Sequence, residues 1–462
     1  MLKKLKYIAN NKLSFYSIIS FAIATLCLLW VLIYNHFPLF TADSSAYIEH
    51  AFNNKIPGDR PVFYSWFIKS ISISNSLWWT VVCQALILAL LLGHFISCFF
   101  PQLSPKHKLF IIATTSLLTQ APWYVAQIMP DLFTPILGLS VLLFLNTFDK
   151  KKMTLYGFFI ILSIVSHNSN LITSIVFLAV SFIINVFTTQ SRISAGRFLM
   201  TLVLCLSSWL IVCFTNYKAG NGFTPNHLSH IYLMGKLSEN GILKTYLDEN
   251  CSTQNYKICP FRSELPNHAW DFIWLPNGPF AQSGGWYQDP AEYKQIIKAT
   301  LTEGRYLRMH LIESIKATYH QCLLTYVGDG IDVFNTESGV YNTIKNNYPN
   351  SIPEFNNTRQ NKGTLAFDFF NNLYKISFYL LLIASVLILY ISKNRTYFLL
   401  FLWTFAFTLI NAFTTATFAN VLARLNSRSI WLLSFVCILI IAHFIVQKTN
   451  KKNRNIDMKI LS

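Results

Sequence analysis

The sequence predicts an all-α polytopic membrane protein, and three observations predict it. Hydrophobic types make up 53% of the 462 residues and charged types only 12%, against about 25% charged in soluble domains. The apolar residues, 39 Phe and 11 Trp among them, fall in runs close to the ~20 residues of a helical bilayer crossing. Charge is also laid out asymmetrically along the chain. A soluble enzyme is excluded on these grounds. So is a disulfide-rich secreted scaffold, since nine cysteines are ordinary for this length and most lie inside apolar runs.

About ten transmembrane helices are expected, within a range of eight to eleven, at 15–37, 76–99, 109–126, 131–147, 153–166, 170–188, 198–216, 372–391, 396–412 and 429–447. Alternate connectors between them are basic. They carry Lys3, Lys4, Lys6 and Lys12; Lys106 and Lys108; Lys150, Lys151 and Lys152; Arg192 and Arg197; Lys393 and Arg395; and Lys448, Lys451, Lys452, Arg454 and Lys459. That is 18 of the 37 cations but only two of the 20 acids, Asp149 and Asp457. The positive-inside rule then places both termini in the cytoplasm. The net charge of +17 is thus a topology signal, and no nucleic-acid partner is expected.

The first segment is longer than the 7 to 15 residues of a signal-peptide apolar region and reads as an anchor. Spans 109–126 and 153–166 are short for a straight crossing. Each sits in a pair flanked by basic connectors, so either pair can be re-entrant without reversing the sidedness of the rest. The chain then divides into an N-terminal transmembrane module, 1–216, whose first outer loop is 38–75 and carries juxtamembrane helices. An exoplasmic, mainly helical segment follows at 217–371, with 13 cations and 14 acids. A C-terminal module, 372–462, holds three spans and a basic cytoplasmic tail. Within the large segment, Asp289-Pro290 predicts a helix start. Ile315, Tyr319, Cys322, Leu323 and Tyr326 make an apolar face at helical spacing, expected on the membrane side. Cys251 and Cys259 bracket a short polar stretch in a compartment that permits disulfides, so a bridge is expected, with two free thiols as the alternative.

Ionisable groups at a membrane boundary are costly to hold there and mark function by default. The stretch TADSSAYIEH after the first span places Asp43, Tyr47 and His50 on one face if it is helical. KIPGDRPVFYSWF follows, bringing Arg60, Tyr64 and Trp66. A capping Asp and an interfacial aromatic anchor would explain the same residues without chemistry. Asp131 follows Pro130 at the start of the fourth span, at the depth of Asp43, and it too suits a plain helix-capping role. Two carboxylates at one level can form one site, one as general base on a hydroxyl and the other orienting the acceptor or holding a divalent ion. His167, in SHNSN between the fifth and sixth spans, fits either a substrate contact or a satisfied turn residue. Arg424 and Arg428 stand at the outer entrance of the last span. Four residues apart, they can share an anionic group such as a lipid phosphate, or can simply snorkel to headgroups.

These parts, in this order, resemble the GT-C superfamily of integral-membrane glycosyltransferases, nearest to bacterial relatives of the protein O-mannosyltransferases and of the lipid A aminoarabinose transferase. The resemblance implies transfer of a sugar from a polyprenyl-phosphate donor, in contact with membrane lipids, to a lipid, glycan or protein acceptor. Its catalytic acid matches Asp43, its second acid Asp131, and its lipid-phosphate cations Arg60, Arg424 or Arg428. Many members carry two adjacent acids where this chain has Asp43-Ser44, so a divalent cation on Asp43 and Asp131 stays an open option. On this reading Asp43, Asp131 and at least one arginine should line a single outward cavity continuous with the lipid, in the inner membrane of a bacterium. Two other classes remain: a polysaccharide polymerase or ligase working through the arginines, and a non-enzymatic transporter or flippase. Spans nearly free of charge and the absence of repeat symmetry count against the last.

Overall fold

The computed structural model describes residues 17–53, 55–73, 75–188, 193–287 and 290–461, with backbone alone at 287 and over 452–461. Lys3, Lys4, Lys6, Lys12, Arg192 and Asp289 lie outside the described residues. The chain is all-helical; among the described residues there is no strand, only an isolated parallel bridge between Leu39 and Gln127.

Ser17–Leu28 (α1) and Trp30–Asn35 (α2) form the first apolar helix, interrupted at Leu29. Short helices Ala42–Phe52 (α3) and Phe63–Ser72 (α4) follow, and then come Trp78–Phe99 (α5), Pro105–Leu118 (α6), Ala121–Ala126 (α7), Phe133–Asn146 (α8), Lys150–Ser166 (α9), Asn168–Phe187 (α10) and Ala195–Lys218 (α11). Six helices are long and apolar enough to cross a membrane: α5, α10, α11, Phe367–Ser392 (α20 in chain order), Arg395–Phe418 (α21) and Ala423–Lys451 of the last helix, Ala423–Leu461 (α22). These make the chain an integral membrane protein. The expected third span is broken. Its polar pair Thr119-Gln120 ends α6, Gln120 donating to the Thr325 carbonyl at 2.8 Å, and the buried α7 starts anew. The expected fifth span, α9, has 17 residues, or about 26 Å.

Polar caps sit at the basic connectors. Ser104 accepts from the amide of His107, Asp149 from those of Lys151 and Lys152, and Asn394 from that of Tyr397. In the centre α8 is buried over Phe133–Leu145. Gly138 lets α21 approach it, because a Cβ there would stand 2.9 Å from the Phe407 ring. The α20 helix, by contrast, is mostly exposed along its apolar length, as a lipid-facing helix would be.

The 217–371 segment divides. Its first part, Ser229–Glu239 (α12), Ile242–Asn250 (α13), Ala269–Trp274 (α14), Pro279–Gln282 (α15), Pro290–Thr302 (α16) and the start of Gly304–Leu323 (α17), encloses a separate core that includes Ile231, Met234, Leu247, Phe272, Tyr293 and Tyr306. A Cys251–Cys259 disulfide closes a loop in this part, an entropic constraint of roughly 2–3 kcal/mol for so short a loop. The second part, with Gly339–Asn347 (α18) and Ile352–Asn356 (α19), instead joins the main core through Val340, Ile344, Tyr348 and Phe355, with α18 packed on α3. On α17, Ile315, Tyr319 and Leu323 are exposed, while Ser314, Ala317 and Gln321 are buried.

Candidate functional site

The parallel bridge sets the site. Leu39 donates to the Ala126 carbonyl at 2.8 Å and accepts from Ile128 at 3.0 Å, which ties the chain leaving α2 to the chain approaching Asp131. Gln84 of α5 fastens the second strand of the bridge through the carbonyls of Val125 and Gln127, and accepts from the Tyr64 hydroxyl at 2.8 Å. Gln360 holds both backbone groups of Phe40. The Thr41 N–H then donates to Ser44 Oγ at 3.0 Å and the Thr41 carbonyl accepts from the Ser44 N–H at 3.0 Å, which starts α3. Asp43 falls in its first turn, where the helix dipole favours a negative charge.

Each Asp43 oxygen meets a different arginine. Oδ2 accepts from Arg424 at 2.7 Å, and Oδ1 lies 3.4 Å from Arg60. Arg60 also pairs with Asp59 at 2.8 Å, and its guanidinium stands 5.1 Å from the centre of the Tyr47 ring. The turn that carries it is pinned from outside, for the Asp59 carbonyl accepts from Asn168 and Asn226 and the Gly58 carbonyl from His227. Arg424 is set by Asp329, whose carboxylate accepts the Arg424 backbone N–H at 3.0 Å. Asp329 sits between Gly328 and Gly330, both at positive φ, and a Cβ at Gly330 would stand 3.8 Å from both Thr41 and the Arg424 guanidinium. These three charged side chains remain open to solvent: Asp43 is 34% exposed, Arg424 20% and Arg60 19%.

Beneath them lies a second, enclosed tier. Asp131 occupies the 3₁₀ turn Pro130–Leu132, and its Oδ1 accepts from Arg428 at 2.8 Å with both side chains essentially inaccessible. Arg428 donates further to His167 Nε2 and Ser169 Oγ, both at 2.9 Å, and to Asn411 Oδ1 at 3.2 Å. Asp131 Oδ2 and Arg428 Nε have no partner among the described residues. His167 immediately precedes α10, and with Nε2 accepting from Arg428 its Nδ1 carries the ring proton and donates to Ser169 Oγ at 2.9 Å.

The expectation of one outward cavity shared by both acids is therefore corrected. Arg424 and Arg428 lie one helical turn apart, and that turn separates an accessible ion pair from a buried one. Arg428 is engaged with side chains of the core, so it does not face a lipid phosphate. Tyr64 is fully buried and Tyr47 nearly so; both support the site from behind. Asp59, Asp329, Gln84, Ser169 and Asn411 were not singled out from the sequence. A divalent cation does not fit this donor set. Arginines face both carboxylates, and no group of three or more His, Cys, Asp or Glu able to hold a metal occurs among the described residues.

Burial alone would raise the Asp43 carboxyl, but Arg424 and Arg60 outweigh it and hold the group below the usual carboxylate range. Enclosure first, and Arg428 second, push the His167 imidazole down to about 3. A neutral ring is what Nε2 needs to accept from Arg428. The unfolded chain binds this proton near the ordinary value of about 6.5, so the contribution to stability is complete above that value and is lost as pH falls toward about 3. His167→Gln, which keeps an acceptor, is expected to flatten the acid-side loss. Thermal unfolding of both proteins in one detergent at about pH 7 and about pH 4.5 measures it; parallel behaviour of variant and parent would contradict the assignment.

No protein-family model, curated protein or solved structure matches this chain.

Proposed function

We propose that this chain is a GT-C-type glycosyltransferase. It moves a sugar from a polyprenyl-phosphate donor to a lipid, glycan or protein acceptor at the outer face of a bacterial inner membrane, with both termini in the cytoplasm. One observation carries the reading: an accessible carboxylate, Asp43, just beyond the first apolar helix, with each oxygen on a different arginine. A donor with a membrane-embedded tail presents its phosphosugar at that level.

In the reaction the acceptor hydroxyl oxygen forms a bond to the anomeric carbon, the bond from that carbon to the phosphate oxygen breaks, and polyprenyl phosphate leaves with the electron pair. Asp43 takes the hydroxyl proton, and Arg424 and Arg60 hold the departing negative charge. Attack from the face opposite the leaving group inverts the anomeric centre. The arginines serve both anions in turn. As the donor phosphate engages them, Asp43 loses the charges that depress its proton affinity and is left with the effect of burial, which raises it. Donor binding thus readies the base.

The test is direct. Purified protein in nanodiscs, given polyprenyl-phosphate sugars labelled in the sugar together with a membrane extract as acceptor source, should release polyprenyl phosphate and move label to a new product of inverted configuration. If no donor of this class is consumed, the proposal fails.

A further inference from the structure

A cavity of about 570 Å³ lies between the end of α12, the start of α14, α17 and the 420–422 link, with no residue of the Asp43 cluster in its lining, and it is within the usual size range of ligand sites. Its walls include Asn240, His268, Trp270, Asp271 and His320, and its floor is the segment Asn420–Leu422. Two features of its lining bear on what it could hold. Among the described residues, the half-buried Asn240 and the exposed His268, Asp271 and His320 make no side-chain hydrogen bond to the protein, so a ligand need only replace water on them. Trp270 is 58% exposed and stands beside Trp274, ring centres 5.5 Å apart, which in turn neighbours Trp286 at 5.3 Å. Apolar indole faces next to unpaired planar amides, imidazoles and a carboxylate suit a ligand whose rings show C–H on one side and hydroxyls at the edge.

We infer that this cavity binds a saccharide chain, and that the acceptor of the proposed transfer is a glycan held there. The identification as acceptor rests on the glycosyltransferase reading; the binding itself does not. Position supports it. Leu422 lines the cavity, and Arg424, the partner of Asp43, is two residues on, within about 7 Å of backbone. Gln321 of α17 clamps this link by donating to the Leu422 carbonyl at 2.7 Å and accepting from its N–H at 3.1 Å. A chain of sugars lying in the cavity can therefore extend an end toward the carboxylate. A lipid surface fits the same walls less well. Glu313, Lys316, Ala317 and His320 give α17 its cavity-facing stripe, roughly opposite the exposed apolar stripe Leu311, Ile315 and Tyr319. The apolar side is the one suited to lipid, which turns the polar cavity away from it.

The experiment uses the full-length protein in nanodiscs, titrated with linear hexaoses of glucose, mannose, galactose and N-acetylglucosamine, and reads tryptophan fluorescence and saturation-transfer NMR. At least one hexaose should bind. Trp270→Ala should weaken it about tenfold, the loss of one stacked ring, Trp270→Tyr should restore most of the affinity, and Asp271→Asn should weaken it less. No binding of any hexaose to the parent protein, equal binding to Trp270→Ala, or quenching of Trp270 by brominated lipids with none by sugars would overturn the proposal. Because binding needs no donor, its failure leaves the transferase reading standing, whereas intact saccharide binding without any donor consumption removes only that reading.

Discussion

Asp43→Asn is expected to lower transfer by about a thousandfold, the middle of the range that a positioned general base supplies, while the protein still inserts and elutes as the parent does. The change keeps the size of the side chain and one acceptor oxygen for Arg424 or Arg60, the other oxygen becoming a donor-only amide nitrogen; both guanidiniums remain to hold the phosphate, so donor binding should persist and the loss should fall on kcat. Arg424→Gln separates the second role. Without that guanidinium, Asp43 loses one of the two groups that hold its carboxyl down. The acid limb of kcat/KM should then move to higher pH, and KM for the donor should rise. Rates measured with a labelled polyprenyl-phosphate sugar, as a function of pH, check both. Undiminished transfer by Asp43→Asn removes the carboxylate mechanism, and if Arg424→Gln is at the same time inactive, the result favours the polymerase or ligase class.

Much of the architecture was legible because a bilayer imposes harsh constraints on composition. Long apolar runs have few other uses, and α5, α10, α11, α20, α21 and α22 fall where they were expected. The third span was misread for a local reason. A run can be apolar on average and still end at one polar pair: Thr119 bonds back to the Thr115 carbonyl, and Gln120 finds a tertiary partner in the Thr325 carbonyl that no window average registers. The 217–371 segment reads as one unit from charge and hydropathy, yet its second part belongs to the main core, because α18 and α19 find apolar partners more than 280 residues before them in the chain.

The site was legible in its members and opaque in its pairings. Ionisable residues beside apolar spans are few, so Asp43, Asp131, Arg60, Arg424 and Arg428 stand out. That Arg424 reaches across 381 residues to Asp43, and Arg428 across 297 to Asp131, follows only from the packed helices. Four-residue spacing places two arginines on one face but says nothing about depth, and one turn of α22 is enough to carry a side chain from solvent into the core. Asp329 had a signal, since an acid between two glycines marks a tight turn. In a segment with 14 acids that signal did not by itself point at a partner.

The buried pair yields the second large expected effect. Arg428→Leu leaves the enclosed Asp131 without its partner, and Asp131→Leu leaves the buried Arg428 without its counter-charge, so each should cost about 3–5 kcal/mol and reduce the yield of monodisperse protein. The double replacement, which removes both charges at similar volume, should regain much of that loss. Thermal unfolding of the two single variants and the double in one detergent gives the coupling. Transfer by the double variant decides what Asp131 is for. As a buried strut it sets α22 through Arg428, and hence Arg424 one turn away, so a refolded double variant should keep measurable transfer with a raised donor KM. If Asp131 instead exchanges a proton with substrate, stability should return while kcat stays as low as in Asp43→Asn. Its enclosure, with Arg428 as its hydrogen-bond partner among the described residues, favours the first outcome and leaves Asp43 as the carboxylate on which the proposed transfer relies.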